Sequence, residues 1–290
     1  MSVNSSTHHL TMDCLESRAA SVIFTSVLMT NILILFPLLV CVFYLGLQRW
    51  RKQRSGSAVS LMTHSDFFTY NMAALEVISI FGSCLYCFGF YVDGLQQFGK
   101  SFFYITSPAQ SLFPLFTCVE RYLAVVHPIT YMRLRQAGGV KIRNISTGCA
   151  WLLCLLNLCL SKFLGSSYLT VTNSCIMVFT LIAISFCSLS VLRVLKHPGP
   201  GEVSRDRERV DLLKQRAFHT IVAIMVAQLF RSVGILVCSV TFDSSVQSET
   251  NCVVGSSSIW LIVPCSLVLP VLFLQRAGKL PDCKHKTGSV

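Results

Sequence analysis

Arg231 stands within Phe230-Arg231-Ser232-Val233-Gly234-Ile235-Leu236, a stretch that is apolar on both sides of the charge. A guanidinium that deep in an apolar helix is costly and too far from an interface to reach water freely, so it needs a partner. Glu76, in the middle of a second apolar run, is the candidate counter-charge, and Gln110 in a third run can share the network. Two other arrangements fit the same residue types: a protonated Glu76 hydrogen-bonded to Asn71 or to water, and Arg231 held by some further group. A second constellation is Glu120-Arg121-Tyr122. Paired with Glu120 in one state, Arg121 can offer its N–H donors to backbone carbonyls of a partner in another, which is switch chemistry. An Arg at such a place also suits anionic lipid headgroups. No enzymatic set accompanies these groups. The seven His have no metal-ligand spacing, His8-His9 being an isolated pair. No Ser-His-Asp order, paired-carboxylate site or phosphate-binding Gly loop stands out, so neither an enzyme nor a bound cofactor or metal is expected.

The chain that must position these groups is mostly long apolar runs. Of 290 residues, 53% are hydrophobic and 13% charged, with a mean hydropathy of +0.62, where a soluble domain carries about 25% charged residues. Disordered, collagen-like and disulfide-scaffold classes are excluded, because Gly, Pro and the 14 Cys are spread through apolar sequence. A span takes about 20 largely apolar residues. Seven windows qualify, roughly 22–47, 66–92, 101–126, 144–164, 170–195, 217–240 and 254–275. The expected fold is therefore an all-α membrane protein, a seven-transmembrane helix bundle, with a tight hairpin near Lys162–Leu169 between the fourth and fifth windows.

The net charge of +11 is informative through its placement. Basic residues gather in alternate connections, at Arg49 to Arg54, at Arg121 to Arg143, between Arg193 and Arg216, and after Arg276; only Arg18, Lys100 and Lys162 fall in the others. Cytoplasmic loops accumulate Lys and Arg, so the N-terminus is expected outside and the C-terminus in the cytoplasm. Lipid, not nucleic acid, is the partner this charge implies. The expected organisation is an extracellular segment at 1–21, a helical domain at 22–275 and a short cytoplasmic tail at 276–290. The first residues lack the pattern of a cleaved signal peptide. Asn4-Ser5-Ser6 is a glycosylation acceptor on the outer side.

The segment Thr117-Cys118-Val119-Glu120-Arg121-Tyr122-Leu123-Ala124-Val125-Val126-His127-Pro128-Ile129-Thr130-Tyr131 resembles the end of the third helix in rhodopsin-like G-protein-coupled receptors. Other motifs recur in order. Asn71-Met72-Ala73-Ala74-Leu75-Glu76 is similar to the second-helix Asn-Leu-Ala-x-x-Asp, Trp151 stands where the fourth helix carries its Trp, and Leu269-Pro270-Val271-Leu272-Phe273 is similar to Asn-Pro-x-x-Tyr with the Pro kept. The resemblance implies a plasma-membrane receptor that couples an unknown extracellular ligand to a cytoplasmic heterotrimeric G protein. Glu120, Arg121, Tyr122, Pro128, Arg133 and Arg135 would form the coupling switch, and Pro270 and Phe273 the seventh-helix motif.

The departures matter as much. Arg216 holds the place of an acidic lock on Arg121, which would leave Glu120 as the main restraint and raise basal activity. Gly234 and Leu236 replace the sixth-helix Trp and Pro; Gly234 permits a bend without fixing one. Leu269 replaces an Asn, and Asn31 reads as too near the outer end of its span to join a sodium cluster. Such losses also suit a receptor-shaped protein that no longer signals and acts through dimerisation or trafficking. A transporter would show internal repeats, and none is apparent.

Most cysteines read as apolar packing residues. Cys14 and Cys252 form a candidate bridge on the oxidising side. The family's usual bridge has only its Cys175 half here; it is absent, or Cys175 reaches Cys84 or Cys87. Cys283 among Lys279, Lys284 and Lys286 is a candidate palmitoylation site. His197-Pro198-Gly199-Pro200-Gly201 is a turn before a charged helical run into the sixth span. Tyr86, Tyr91, Tyr104, Tyr168 and Trp260 form an aromatic set for a candidate ligand pocket, or pack helices.

Overall fold

The computed structural model describes residues 18–54, 64–89, 92, 94–134, 137–196, 204–243 and 249–278, with certain side chains inside helices, Tyr104 and Arg216 among them, outside the description. Every regular element among the described residues is helical. Helix α1 (Arg18–Thr30) passes through a π-helical turn (Asn31–Leu35) into α2 (Phe36–Arg54). The chain continues as α3 (His64–Phe88), α4 (Leu95–Val126), α5 (Pro128–Leu134), α6 (Ala137–Lys196), α7 (Ser204–Asp243) and α8 (Glu249–Ser258), then a 3₁₀ turn (Ile259–Ile262) and α9 (Val263–Arg276). Long apolar runs become helices because only intrasegment hydrogen bonds can satisfy the backbone away from water. The π turn lies directly before Pro37. There the Phe36 N–H reaches back to Asn31 O, a five-residue step that accommodates a residue with no donor of its own.

Among the described residues, six stretches are long and apolar enough to cross a membrane: Arg18–Arg51, His64–Phe88, Gly139–Leu160, Val171–Val194, Ala217–Thr241 and Thr250–Arg276. Leu33, Leu152, Phe179, Ile182 and Leu236 lie on their exposed faces, an arrangement suited to a hydrocarbon solvent and unsuited to water. The protein is thus a multi-pass, all-helical membrane protein. The window expected at 101–126 falls inside α4, which is 32 residues long but is not among the six. Its polar load explains the difference: Thr106, Gln110, Ser111, Thr117 and Glu120 are all buried in it. Helix α4 packs against α3, α6 and α7, so these groups face protein and the helix does not need a lipid-like composition.

Helical structure is continuous from Ala137 to Lys196, yet Asn157 Nδ2 lies 3.5 Å from Asn173 Oδ1. Sixteen residues of straight helix would hold them about 24 Å apart. The chain therefore reverses sharply between them, where the tight hairpin was expected, and lays Gly139–Leu160 beside Val171–Val194.

Phe113 is fully buried at the centre of the larger core cluster, with Met72, Leu75, Ile184, Ile221 and Leu269 around it. A second cluster joins Leu35, Leu39 and Val42 of the first helical stretch to Ala73, Phe273 and Leu274. Close approach at two points depends on glycine. A Cβ on Gly99 would meet the Tyr86 backbone at 2.6 Å, and one on Gly234 would meet the Ser258 carbonyl oxygen at 2.8 Å. Gly234, expected to act as a permissive bend, is here the point where α7 touches the end of α8. Because the obstacle is backbone, Gly234→Val is expected to cost about 1–3 kcal/mol, seen as a lower unfolding temperature of the purified protein; an unchanged value would contradict this contact.

Candidate functional site

Glu76 and Arg231 are almost completely covered, 2% and 3% exposed. They do not form the direct pair that their types suggested. Gln110 stands between them: its Nε2 donates to Glu76 Oε1 at 3.3 Å, and its Oε1 accepts from Arg231 Nη2 at 2.9 Å. One neutral amide thus links α3, α4 and α7 through its two ends. Asn71 is not part of this network. Its Oδ1 accepts from Trp151 Nε1 at 3.1 Å, and its Nδ2 donates to Phe67 O at 2.9 Å. Five residues of helix turn Asn71 about 140° away from Glu76, so it ties α3 to α6 instead.

Pro114 adds a second tie. It has no N–H to give to the carbonyl four residues earlier, which belongs to Gln110. The Gln228 side chain of α7, 1% exposed, donates to that carbonyl at 3.5 Å. Pro114 thus frees an acceptor for the neighbouring helix.

Beside the network lies a cavity of about 200 Å³. Glu76, Gln110, Arg231, Ser266, Ser107 and Asn31 contribute polar groups to its wall, while Phe24, Phe103 and Ile259 supply apolar surface. Among the described residues, Arg231 Nε and Asn31 Oδ1 have no hydrogen-bond partner. Asn31 was set aside on the expected span 22–47. The apolar stretch starts at Arg18, so Asn31 lies about 20 Å along it and reaches the cavity that Glu76 lines.

None of the described members of the aromatic set expected for a pocket lines this cavity. Tyr86 is buried in packing between Phe24 and Phe103, with centroid distances of 5.0 and 6.2 Å. Tyr168 and Trp260 are exposed, and Tyr91 and the Tyr104 side chain lie outside the described residues. Aromatic type alone did not separate packing from lining.

A second polar cluster sits at the C-terminal end of α4. Glu120 is buried, and its Oε1 accepts from Tyr131 Oη at 3.4 Å, while Oε2 has no partner among the described residues. Nor is Arg121 paired with Glu120 as expected; its Nε is likewise without a partner among them. Arg276, at the end of α9, donates to Ser65 Oγ at 3.0 Å and lies within electrostatic reach of Glu120, Arg121 and Asp66. Asp66 pairs with Arg49 at 3.0 Å, and the Arg49 guanidinium lies 5.0 Å from the centre of the Phe273 ring. Phe273, in the expected seventh-helix motif with Pro270, also meets Tyr70 edge-on at 5.4 Å.

Tyr122 points elsewhere. Its hydroxyl lies 3.3 Å from His127 Nε2 and its ring faces Phe186. Pro128 opens α5, a position that suits a residue without a donor. Arg133 is exposed on α5, and Arg135 lies outside the described residues. Tyr131, Arg276 and Asp66 were not singled out for this cluster. Tyr131 falls inside the fifteen-residue segment quoted above, whereas the other two are brought in by packing of α3 and α9.

Cys252 is disulfide-bonded, with its partner outside the described residues, as is Cys14. Cys84, Cys87 and Cys175 are free, so neither alternative bridge of Cys175 forms. Asn4 and Cys283 also lie outside the description. No protein-family model matches this chain, and no curated protein matches it.

Proposed function

We propose that the chain is a receptor of the rhodopsin-like G-protein-coupled kind. In this reading seven helices cross the plasma membrane with the N-terminus outside, and occupation of the internal cavity by an extracellular ligand is passed to a cytoplasmic heterotrimeric G protein. The observation that carries the proposal is the pairing of two polar clusters on one central helix. Gln110 anchors the cavity network, and Arg121, about 16 Å further along α4, stands in the second cluster. Both clusters contain buried groups without a full set of partners among the described residues, as expected of a site whose contacts change between two states. Helix α4 touches α3, α6 and α7, so a shift of Gln110 is felt by the same helix that ends in Arg121.

A second reading, a receptor-shaped protein without signalling, draws on one contact. Gly234 stands where the family has its ligand-sensing Trp, and it clamps α7 against Ser258. The test is agonist-independent G-protein activation in cells, with the intact chain compared with Arg121→Ala at equal surface expression. A basal signal that falls at least about fivefold in the variant supports coupling through Arg121. A signal that survives the substitution contradicts it.

A further inference from the structure

The cavity beside the Glu76, Gln110 and Arg231 network has a size, a charge pattern and an unfilled valence that together define an occupant. Arg231 carries five N–H donors. Its Nη2 is committed to Gln110, while its buried Nε lacks a partner among the described residues, and the residue lines the cavity. A buried donor without an acceptor is costly, more so on a charged group. The acceptor that best fits a guanidinium edge is a carboxylate, which takes two parallel N–H bonds. Ser107 on the wall can donate to the same oxygens, Ser266 is engaged with Glu76, and the Asn31 side-chain oxygen Oδ1 remains as an acceptor at the first helical stretch. Apart from Glu76, Gln110, Ser79 and Ser83, the rest of the wall is aliphatic or aromatic, with Phe24, Phe103 and Ile259.

Volume sets the length. An apolar cavity of about 150 Å³ holds benzene, with six non-hydrogen atoms; the 200 Å³ here scales to about eight. The geometry points to a short-chain monocarboxylic acid of about six carbons as the ligand of this cavity, its carboxylate on Arg231 and its alkyl tail against Phe24 and Phe103. Charge is conserved if the acid enters with its proton. The proton then passes to the Glu76 carboxylate, which Gln110 separates from the guanidinium, and the ligand carboxylate becomes the counter-ion of Arg231. No net charge is added to the buried site.

The inference names the ligand class for the receptor reading, but binding itself does not require a G protein. The full chain is purified into lipid nanodiscs and titrated with acetate, butanoate, hexanoate, decanoate, hexanamide and 1-hexanol, with the unfolding temperature and direct calorimetry as readouts. Hexanoate is expected to bind at least about tenfold more tightly than hexanamide or hexanol, and more tightly than acetate or decanoate. Arg231→Gln is expected to remove the preference for the acid. Val263→Phe, which fills one wall of the cavity while leaving Arg231 in place, is expected to move the optimum to butanoate, and it serves if Arg231→Gln does not fold. Stabilisation by no carboxylate, equal binding of amide and acid, or an unchanged length preference in Val263→Phe would each overturn the inference. Nucleotide exchange on added G protein is read on the same preparation. Acid binding without exchange upholds the ligand and sinks the receptor reading; exchange without acid binding does the reverse.

Discussion

Glu76→Gln is expected to be among the most damaging single changes in the chain, costing about 3–5 kcal/mol. It leaves the Arg231 guanidinium, 3% exposed, in the bundle with no counter-charge. A guanidinium cannot shed its proton to escape that position. Arg231→Met should cost less, because a lone buried carboxyl can take up a proton and become neutral. The double variant should lose less than the sum of the two. Gln110 makes the coupling specific. It hydrogen-bonds both charged groups, at 3.3 and 2.9 Å, so in a Gln110→Leu background the coupling between positions 76 and 231 should shrink. Chemical unfolding of the solubilised variants reads all of these values. Arg231→Met worse than Glu76→Gln, or strict additivity with Gln110 present, would contradict the bridge.

Glu120→Gln is expected to raise agonist-independent signalling at least about fivefold, the lower end of ordinary allosteric couplings. Glu120 is the buried anion among Arg121, Arg276 and the Tyr131 hydroxyl. Neutralising it leaves two guanidinium groups facing each other with less to hold them in place, and like charges separate. Arg121, without a partner at Nε among the described residues, then turns outward toward the surface that a G protein would meet in the proposed function. Tyr131→Phe removes only the 3.4 Å hydrogen bond and should give a smaller rise in the same direction. A basal signal unchanged or lowered by Glu120→Gln, at matched surface expression, counts against this account.

The sequence made the cavity network partly readable for a simple reason. A charged or amide side chain in a long apolar run has few places to go, so Glu76, Gln110 and Arg231 could be grouped before any coordinates. The mediation by Gln110 was not readable, because it depends on how α3, α4 and α7 are rotated against one another. Gln228 was equally hidden: Pro114 announces a free carbonyl on Gln110, but not the helix that answers it. Asn31 was misplaced by four residues at the start of a helix, enough to move it a full turn along the axis. The roles of the aromatic set were not readable for a different cause. Rings on an apolar helix pack or line a cavity with the same composition, and Tyr86 took the first role. The reversal between Asn157 and Asn173 was legible from the spacing of two apolar windows, since two windows a few residues apart can both cross a bilayer only in opposite directions, with a reversal between them. The polar character of α4 follows from its central place, which no periodicity in its own sequence states.

In the proposed function this bundle exchanges nucleotide on a G protein through Arg121. The most direct test uses the purified chain in lipid nanodiscs with purified heterotrimers from each major G-protein class, measuring nucleotide exchange with and without hexanoate. The account predicts exchange above the receptor-free rate on at least one heterotrimer, lost in Arg121→Ala while the variant keeps its unfolding temperature. Exchange at the receptor-free rate with every heterotrimer, in a preparation that is folded and binds the acid, would contradict it.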